Sequence, residues 1–111
     1  MTDREYLELA AKAAGIQFSE LGGGARYAPQ TGIMQPYVPW NPLTDDGDAL
    51  RLAVALGIDL EWRADGRVAA YRHATANGHC FTAFESSRED RAANVRRAIV
   101  RAAAEIWRAK E

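Results

Sequence analysis

The chain has 111 residues, of which 48% are hydrophobic and 26% charged, and its formal net charge is −1. These values are typical of one soluble globular domain, so residues 1–111 are predicted to fold as a single unit in the cytoplasm. The small net charge excludes strong attraction to nucleic acid or membranes through overall charge, and a single cysteine excludes an internal disulfide framework.

The first element is predicted to be a helix that begins after Thr2 and ends at Gly15. Thr2-Asp3-Arg4-Glu5 matches a capping box, in which the threonine accepts a hydrogen bond from the backbone three residues later. Apolar residues then recur at helical spacing. Gly15 followed by Ile16 is typical of a helix end with a left-handed glycine.

The segment from Ile16 to Trp40 is predicted to be irregular, with short edge strands. The three consecutive glycines at 22–24 interrupt any regular element. Pro29, Pro36 and Pro39 exclude a central strand, because proline cannot donate a ladder hydrogen bond.

A second helix is predicted to begin at Thr44 or Asp45 and to end at Gly57. Acidic residues in its first turn interact favourably with the positive end of the helix dipole. Its spacing predicts that Leu50 and Val54 face inward, together with Leu52 and Leu56.

The acids at the start of this helix have a second interpretation, as ligands of a divalent cation. Asp45, Asp46 and Asp48 supply the oxygen atoms that calcium prefers. The glutamate that completes an EF-hand loop is missing, and capping accounts for the acids without an ion. We therefore predict no metal and no cofactor.

A β-hairpin is predicted around Asp65-Gly66, a strong signal for a two-residue type I′ turn. That turn would pair Trp62 with Ala69 and would bring Asp59 opposite Arg72 as an ion pair. The face toward the core would then carry Ile58, Leu60, Trp62, Ala69 and Tyr71. Asn77-Gly78 predicts a further turn into a strand from His79 to Glu85, with Cys80, Thr82 and Phe84 on the core face.

The last element is predicted to be a long helix from Ser87 to Ala109, opened by a capping box at residues 86–89. A narrow apolar stripe would face the core, and alanines beside it would allow close packing. The stripe comprises Val95, Ile99, Ala102, Ala103 and Ile106.

Three blocks of the chain resemble small proteins of tailed phages and prophages, the phage ABA-sandwich domain family. They are Thr2–Gly15, the motif Trp40–Val54 and the closing stretch Arg96–Ile106. The resemblance implies an α+β fold in which helices sandwich an antiparallel sheet of three or more strands. This is a three-layer α/β/α architecture in the order α-(β)-α-β-β-β-α. It implies a phage or prophage origin but no biochemical activity.

Cys80, with His73 and His79, is the one candidate set for nucleophilic catalysis. A catalytic cysteine requires a neighbouring histidine and a third, orienting group. In the predicted register Cys80 faces the core while His79 points away, so we interpret Cys80 as buried and inert. The protein is therefore predicted not to be an enzyme.

Two kinds of partner remain after catalysis is set aside. A protein partner or a second copy of the chain is favoured, because Trp107 lies on the flank of the last helix, outside its apolar stripe. Nucleic acid is the alternative, since the last helix is rich in arginine. The predicted binding residues are Trp40, Trp107, Arg97, Arg101 and Arg108.

Overall fold

The structure is a computed structural model that describes residues 2–16, 40–64, 67–72, 81–86 and 90–109. The strands predicted between Ile16 and Trp40, and the two residues of the predicted type I′ turn, lie outside these ranges. Within them the elements are α1 (Asp3–Ala14), α2 (Asp46–Leu56), β1 (Asp59–Trp62), β2 (Arg67–Arg72), β3 (Phe81–Ser86) and α3 (Arg91–Arg108).

The ends of α1 confirm the prediction from the sequence. The hydroxyl of Thr2 accepts from the backbone N–H of Glu5 at 3.2 Å. Gly15 ends the helix with φ of +73°, and the N–H of Ile16 donates to the carbonyl of Ala11 at 2.8 Å. A left-handed glycine stops the helix here because residues with a Cβ rarely adopt that conformation.

The bounds of α2 are also close to those predicted, and Leu52 and Leu56 pack inward as predicted, but the rest of its buried face differs. Asp45 caps the helix and Gly57 ends it with φ of +66°. The buried residues of α2 are Asp48, Ala49, Leu52 and Ala53. Leu50 and Val54 are 62% and 73% exposed, so the prediction that they face inward is wrong.

The helix α3 begins later than predicted. Asp90 is its N-cap, and its carboxylate accepts from the N–H of Ala93 at 2.9 Å. The helix therefore starts at Arg91, and the capping box predicted at residues 86–89 does not open it. An aspartate caps a helix as well as a serine does, so the serine-led box did not identify the start of α3.

The strands are antiparallel in the order β1-β2-β3, with a register one residue away from that predicted for the hairpin. Trp62 lies opposite Val68, and Asp59 lies opposite Tyr71 rather than Arg72. The N–H of Arg63 donates to the carbonyl of Arg67 at 2.9 Å, which leaves residues 64–66 in the connection.

This shift reverses the two faces of β2, because strand side chains alternate between faces. Val68 and Ala70 join the core cluster that Leu60 packs against. Ala69 is buried as predicted, at 1% exposure, but it lies outside that cluster, and Tyr71 is half-buried. The register pairs Ala70 with Ala83 of β3.

The predicted three-layer α/β/α sandwich is wrong. The helix α3 packs against β2 and β3, while α1 and α2 pack against α3 rather than on the sheet. The described helices therefore lie on the same side of the sheet, in a small α+β fold with α3 in its middle layer.

The composition of α3 explains this arrangement. Its buried residues are distributed around the helix, and most are small: Asn94, Ala98, Ile99, Val100, Ala102, Ala103, Ala104 and Ile106. A helix that is apolar on most of its circumference is stable only when neighbours cover it on several sides. The narrow stripe predicted from the sequence underestimated this burial.

Candidate functional site

The acidic cluster at the start of α2 forms a hydrogen-bonded structure within the chain. The carboxylate of Asp45 accepts from the N–H of Asp48 at 2.8 Å. Asp48 itself is buried, and it accepts from the N–H of Asn41 at 3.0 Å and from the guanidinium of Arg51 at 2.7 Å. These contacts give two of the three acids a structural role.

Asp46 is engaged as well, by a residue distant in sequence. Arg96 of α3 donates to Asp46 at 2.6 Å and, through Nε, to the backbone carbonyl of Leu43 at 2.8 Å. One guanidinium thus connects the loop before α2, the first turn of α2 and the middle of α3.

Among the residues that the structure describes, no three His, Cys, Asp or Glu side chains are grouped so as to hold a metal ion. The candidate catalytic residues His73, His79 and Cys80 lie outside the described ranges, so their interpretation as non-catalytic stays a prediction.

The predicted binding residues do not form one surface. Trp40 is only 2% exposed and belongs to the core, where it offers no area to a partner. Arg97 contacts Asp3 of α1 at 3.5 Å, and the guanidinium of Arg101 lies 5.3 Å from the ring centre of Tyr6. Arg97 and Arg101 thus hold α1 against α3.

The two remaining predicted residues lie at the C-terminal end of α3. Arg108 pairs with Glu105 of the same helix at 3.1 Å. Trp107 is partly buried.

The structure instead shows an apolar groove between α2 and α3, here called the α2–α3 groove. It has a volume of about 210 Å³ and is open to solvent. Leu60 of β1 also lines it. The lining residues are Asp46, Ala49, Leu50, Leu60, Ala92, Val95, Arg96 and Ile99.

Large apolar side chains continue from this groove onto the surface. Leu50 lines it, and Val54 lies one helical turn further along the same face of α2. Trp62, 63% exposed, follows Leu60 on the same face of β1. The sequence pattern does not predict this surface, because it places Leu50, Val54 and Trp62 in the core.

A second, smaller pocket lies where the β1–β2 hairpin meets the start of α3. It has a volume of about 40 Å³. Its lining comprises Trp62, Arg63, Arg67, Val68, Arg91 and Asn94. We call it the arginine pocket. The alternating charges of the hairpin and the arginine at the first turn of α3 were visible in the sequence, but their convergence was not.

In the described residues no helix is long and apolar enough to cross a membrane. Comparison with protein-family models finds no match to this chain, and neither curated proteins nor solved structures match it. We therefore infer function from the groove itself.

Proposed function

We propose that this protein is a protein-binding module whose α2–α3 groove receives apolar side chains of a partner protein or of a second copy. The observation that carries the proposal is the exposure of Leu50, Val54 and Trp62, at 62%, 73% and 63%. Single exposed apolar residues are ordinary, but a contiguous apolar surface is typical of a contact site.

The size of the groove fits this role. A cavity of about 150 Å³ lined by apolar side chains is large enough to bind benzene. At about 210 Å³, the α2–α3 groove has room for a leucine or an aromatic ring. Burying such a side chain contributes about 1.5–3 kcal/mol, so a few anchors of this kind suffice for a transient complex.

The groove also has the polar edge that is typical of protein interfaces. Asp46 and Arg96 both line it and form an ion pair at 2.6 Å. A partner would therefore meet an apolar floor beside a charged rim.

The resemblance of Trp40–Val54 to phage proteins extends the proposal to an accessory protein of a phage or prophage, acting in the bacterial cytoplasm without catalysis. Nucleic-acid binding through the last helix is less well supported. Arg97, Arg101 and Arg108, on which that alternative depends, each contact a group of their own chain.

The proposal is tested with a Leu50→Gln/Val54→Gln double variant. Both side chains are exposed, so folding should be preserved while the apolar surface is lost. The control is Ala55→Gln, because Ala55 is exposed on the same helix and does not line the groove. Glutamine is a good helix former, so a loss of helix propensity should not account for a difference between the double variant and the control.

Two measurements distinguish a second copy from another protein. Sedimentation equilibrium at high protein concentration should show association of the wild-type chain that the double variant loses. If the wild-type chain stays monomeric, nuclease-treated bacterial lysate should yield proteins retained by wild type and Ala55→Gln but not by the double variant. Identical behaviour of all three chains in both measurements would overturn the proposal.

A further inference from the structure

The backbone of β1 has a side that faces away from β2. Of the strands that the structure describes, β1 lies at the edge of the sheet. The N–H of Arg63 donates to the carbonyl of Arg67, which makes these residues a hydrogen-bonded pair of the antiparallel ladder. Bonded and non-bonded pairs alternate, so the backbone of Glu61 is bonded to β2 whereas those of Leu60 and Trp62 are not. The N–H and C=O groups of Leu60 and Trp62 therefore point to the outer edge of β1.

The side chains of the same two residues lie on the face of the sheet that the helices cover. Leu60 lies opposite Ala70 and Trp62 opposite Val68, and both partners are buried in the core. Leu60 also lines the α2–α3 groove. Directly opposite residues of neighbouring strands share a face. A strand added at the outer edge of β1 would therefore place every second side chain on the helix side, toward the groove.

An extended segment matches both the backbone and the side chains of this edge, whereas a helix matches only the side chains. The backbone groups of a helix are bonded within the helix, so a helical partner would leave the outward groups of β1 to water. An extended segment pairs with those groups and directs alternate side chains into neighbouring pockets, which is the mode of binding called strand addition.

The opposite face of β1 favours a basic partner. The side chain of Glu61 is half exposed and lies 3.7 Å from Arg63, in a pair that solvent screens. Asp59 is on the same face, two residues earlier. If two β1 strands paired antiparallel over more than one residue pair, Glu61 of each copy would lie opposite an acid of the other. Like charges placed directly opposite destabilise a sheet, so a strand with lysine or arginine at that position fits better than a second copy.

We propose that the outer edge of β1 and the α2–α3 groove together bind an extended segment of another protein. Apolar side chains of that segment lie opposite Leu60 and Trp62 and extend toward the groove, and a basic side chain between them lies opposite Glu61. This inference rests on the proposed function, because it gives the conformation and the sequence pattern of the partner for the same groove.

The test uses the full, isotope-labelled chain and the capped peptide Lys-Val-Lys-Leu-Lys as the probe, followed by nuclear magnetic resonance. In the unliganded chain the amide hydrogens of Leu60 and Trp62 should exchange with water faster than that of Glu61, which is bonded to β2. Saturable binding of the probe should slow the exchange of Leu60 and Trp62. Slow exchange of both amides without the probe would show that the edge is already covered, and would overturn the proposal.

Methylation of the probe's backbone separates strand addition from contact through side chains alone. In the proposed pairing the N–H groups of the probe's valine and leucine point to β1, and those of its lysines point away. Methylating the valine and leucine nitrogens should weaken binding about tenfold, because two hydrogen bonds are lost. Methylating the middle and last lysine nitrogens is the matched control and should change binding little. Equal weakening by both modifications would contradict strand addition.

A charge reversal tests the orientation of the probe. Glu61→Lys should weaken the probe about threefold and strengthen the binding of Glu-Val-Glu-Leu-Glu, because the cross-strand charge pair changes sign. The control is Glu8→Lys, which makes the same change on the exposed surface of α1. Equal effects of the two variants would mean that net charge rather than the edge of β1 attracts the peptide, and the proposal would fail.

The Leu50→Gln/Val54→Gln variant separates this test from that of the groove. It should bind the probe more weakly than wild type while the amides of Leu60 and Trp62 are still protected at saturation. If this variant loses lysate partners but the probe protects neither amide in wild type, the proposed function stands and strand addition is overturned. Self-association of the wild-type chain that protects both amides would assign the edge to a second copy and would overturn the proposal of a separate partner.

Discussion

Asp48 joins three parts of the chain through one carboxylate. It sits in the first turn of α2, accepts from the backbone of Asn41 before the helix, and pairs with Arg51 one turn later. A buried carboxylate is stable only when it is hydrogen-bonded or paired, and Asp48 is both. The acid thus determines how the loop after Trp40 enters α2.

Replacing this acid should destabilise the protein. We expect Asp48→Ala to lower the free energy of unfolding by about 1–3 kcal/mol, because the N–H of Asn41 loses its acceptor. Asp48→Asn, which keeps one acceptor oxygen, should cost less than Asp48→Ala. Urea denaturation followed by circular dichroism measures both.

The control for this prediction is Glu8→Ala. The carboxylate of Glu8 pairs with Arg4 at 3.6 Å on the surface of α1, and such exposed pairs contribute less than about 1 kcal/mol. If Asp48→Ala costs no more than Glu8→Ala, the network around Asp48 does not stabilise the entry to α2.

At the scale of the element, α2 has apolar residues on two faces, of which only one is buried in the core. Leu52, with Ala49 and Ala53, packs into the core, while Leu50 and Val54 point outward. Helical spacing predicts that Leu50 and Val54 share a face, which is correct, but it does not say which face meets the core. The small residues on the buried side allow α2 to lie close to α3.

The orientation of α2 can be tested by replacing Leu52 and Leu50 with alanine, one at a time. Leu52→Ala should lower the free energy of unfolding by about 2–5 kcal/mol, because it leaves a cavity in the core. Leu50→Ala should cost less than about 1 kcal/mol, since most of that side chain is already in water. Chemical denaturation of the two variants is the measurement, and a larger cost for Leu50→Ala would mean that α2 is rotated.

At the scale of the whole molecule, α3 is the element that the others share. The sheet packs on one side of it, and α1 and α2 pack on another. Ala102 and Ala103 are fully buried, so neighbouring elements approach the backbone of α3 closely. Arg96, Arg97 and Arg101 add polar contacts from α3 to the loop before α2, to α2 itself and to α1.

Enlarging a residue at this centre should strain several elements at once. We expect Ala103→Leu to destabilise the protein by about 1–3 kcal/mol or more, because extra methyl groups in a packed core force neighbours apart. The matched control is Ala109→Leu at the exposed end of α3, where the same change should be nearly neutral. Thermal unfolding of the two variants tests this, and equal midpoints would contradict the central position of α3.

The sequence by itself determined where the helices stop and, for α1 and α2, where they start. Capping by Thr2 and Asp45 and the left-handed Gly15 and Gly57 depend on residues within a few positions of each other. Such local interactions are present in the sequence before any tertiary contact forms. The predicted start of α3 was wrong, because a serine-led capping box at residues 86–89 was expected where Asp90 is the N-cap.

Only the tertiary structure decided the register of the hairpin, the buried face of α2 and the order of the layers. A shift of one residue exchanges the faces of β2, so Val68 and Ala70 join the core cluster, while Ala69, which is also buried, lies outside it. The α2–α3 groove and the arginine pocket result from the same features, namely the hairpin register, the buried face of α2 and the order of the layers. Both surfaces are assembled from residues distant in sequence, because long-range packing determines which side chains remain at the surface.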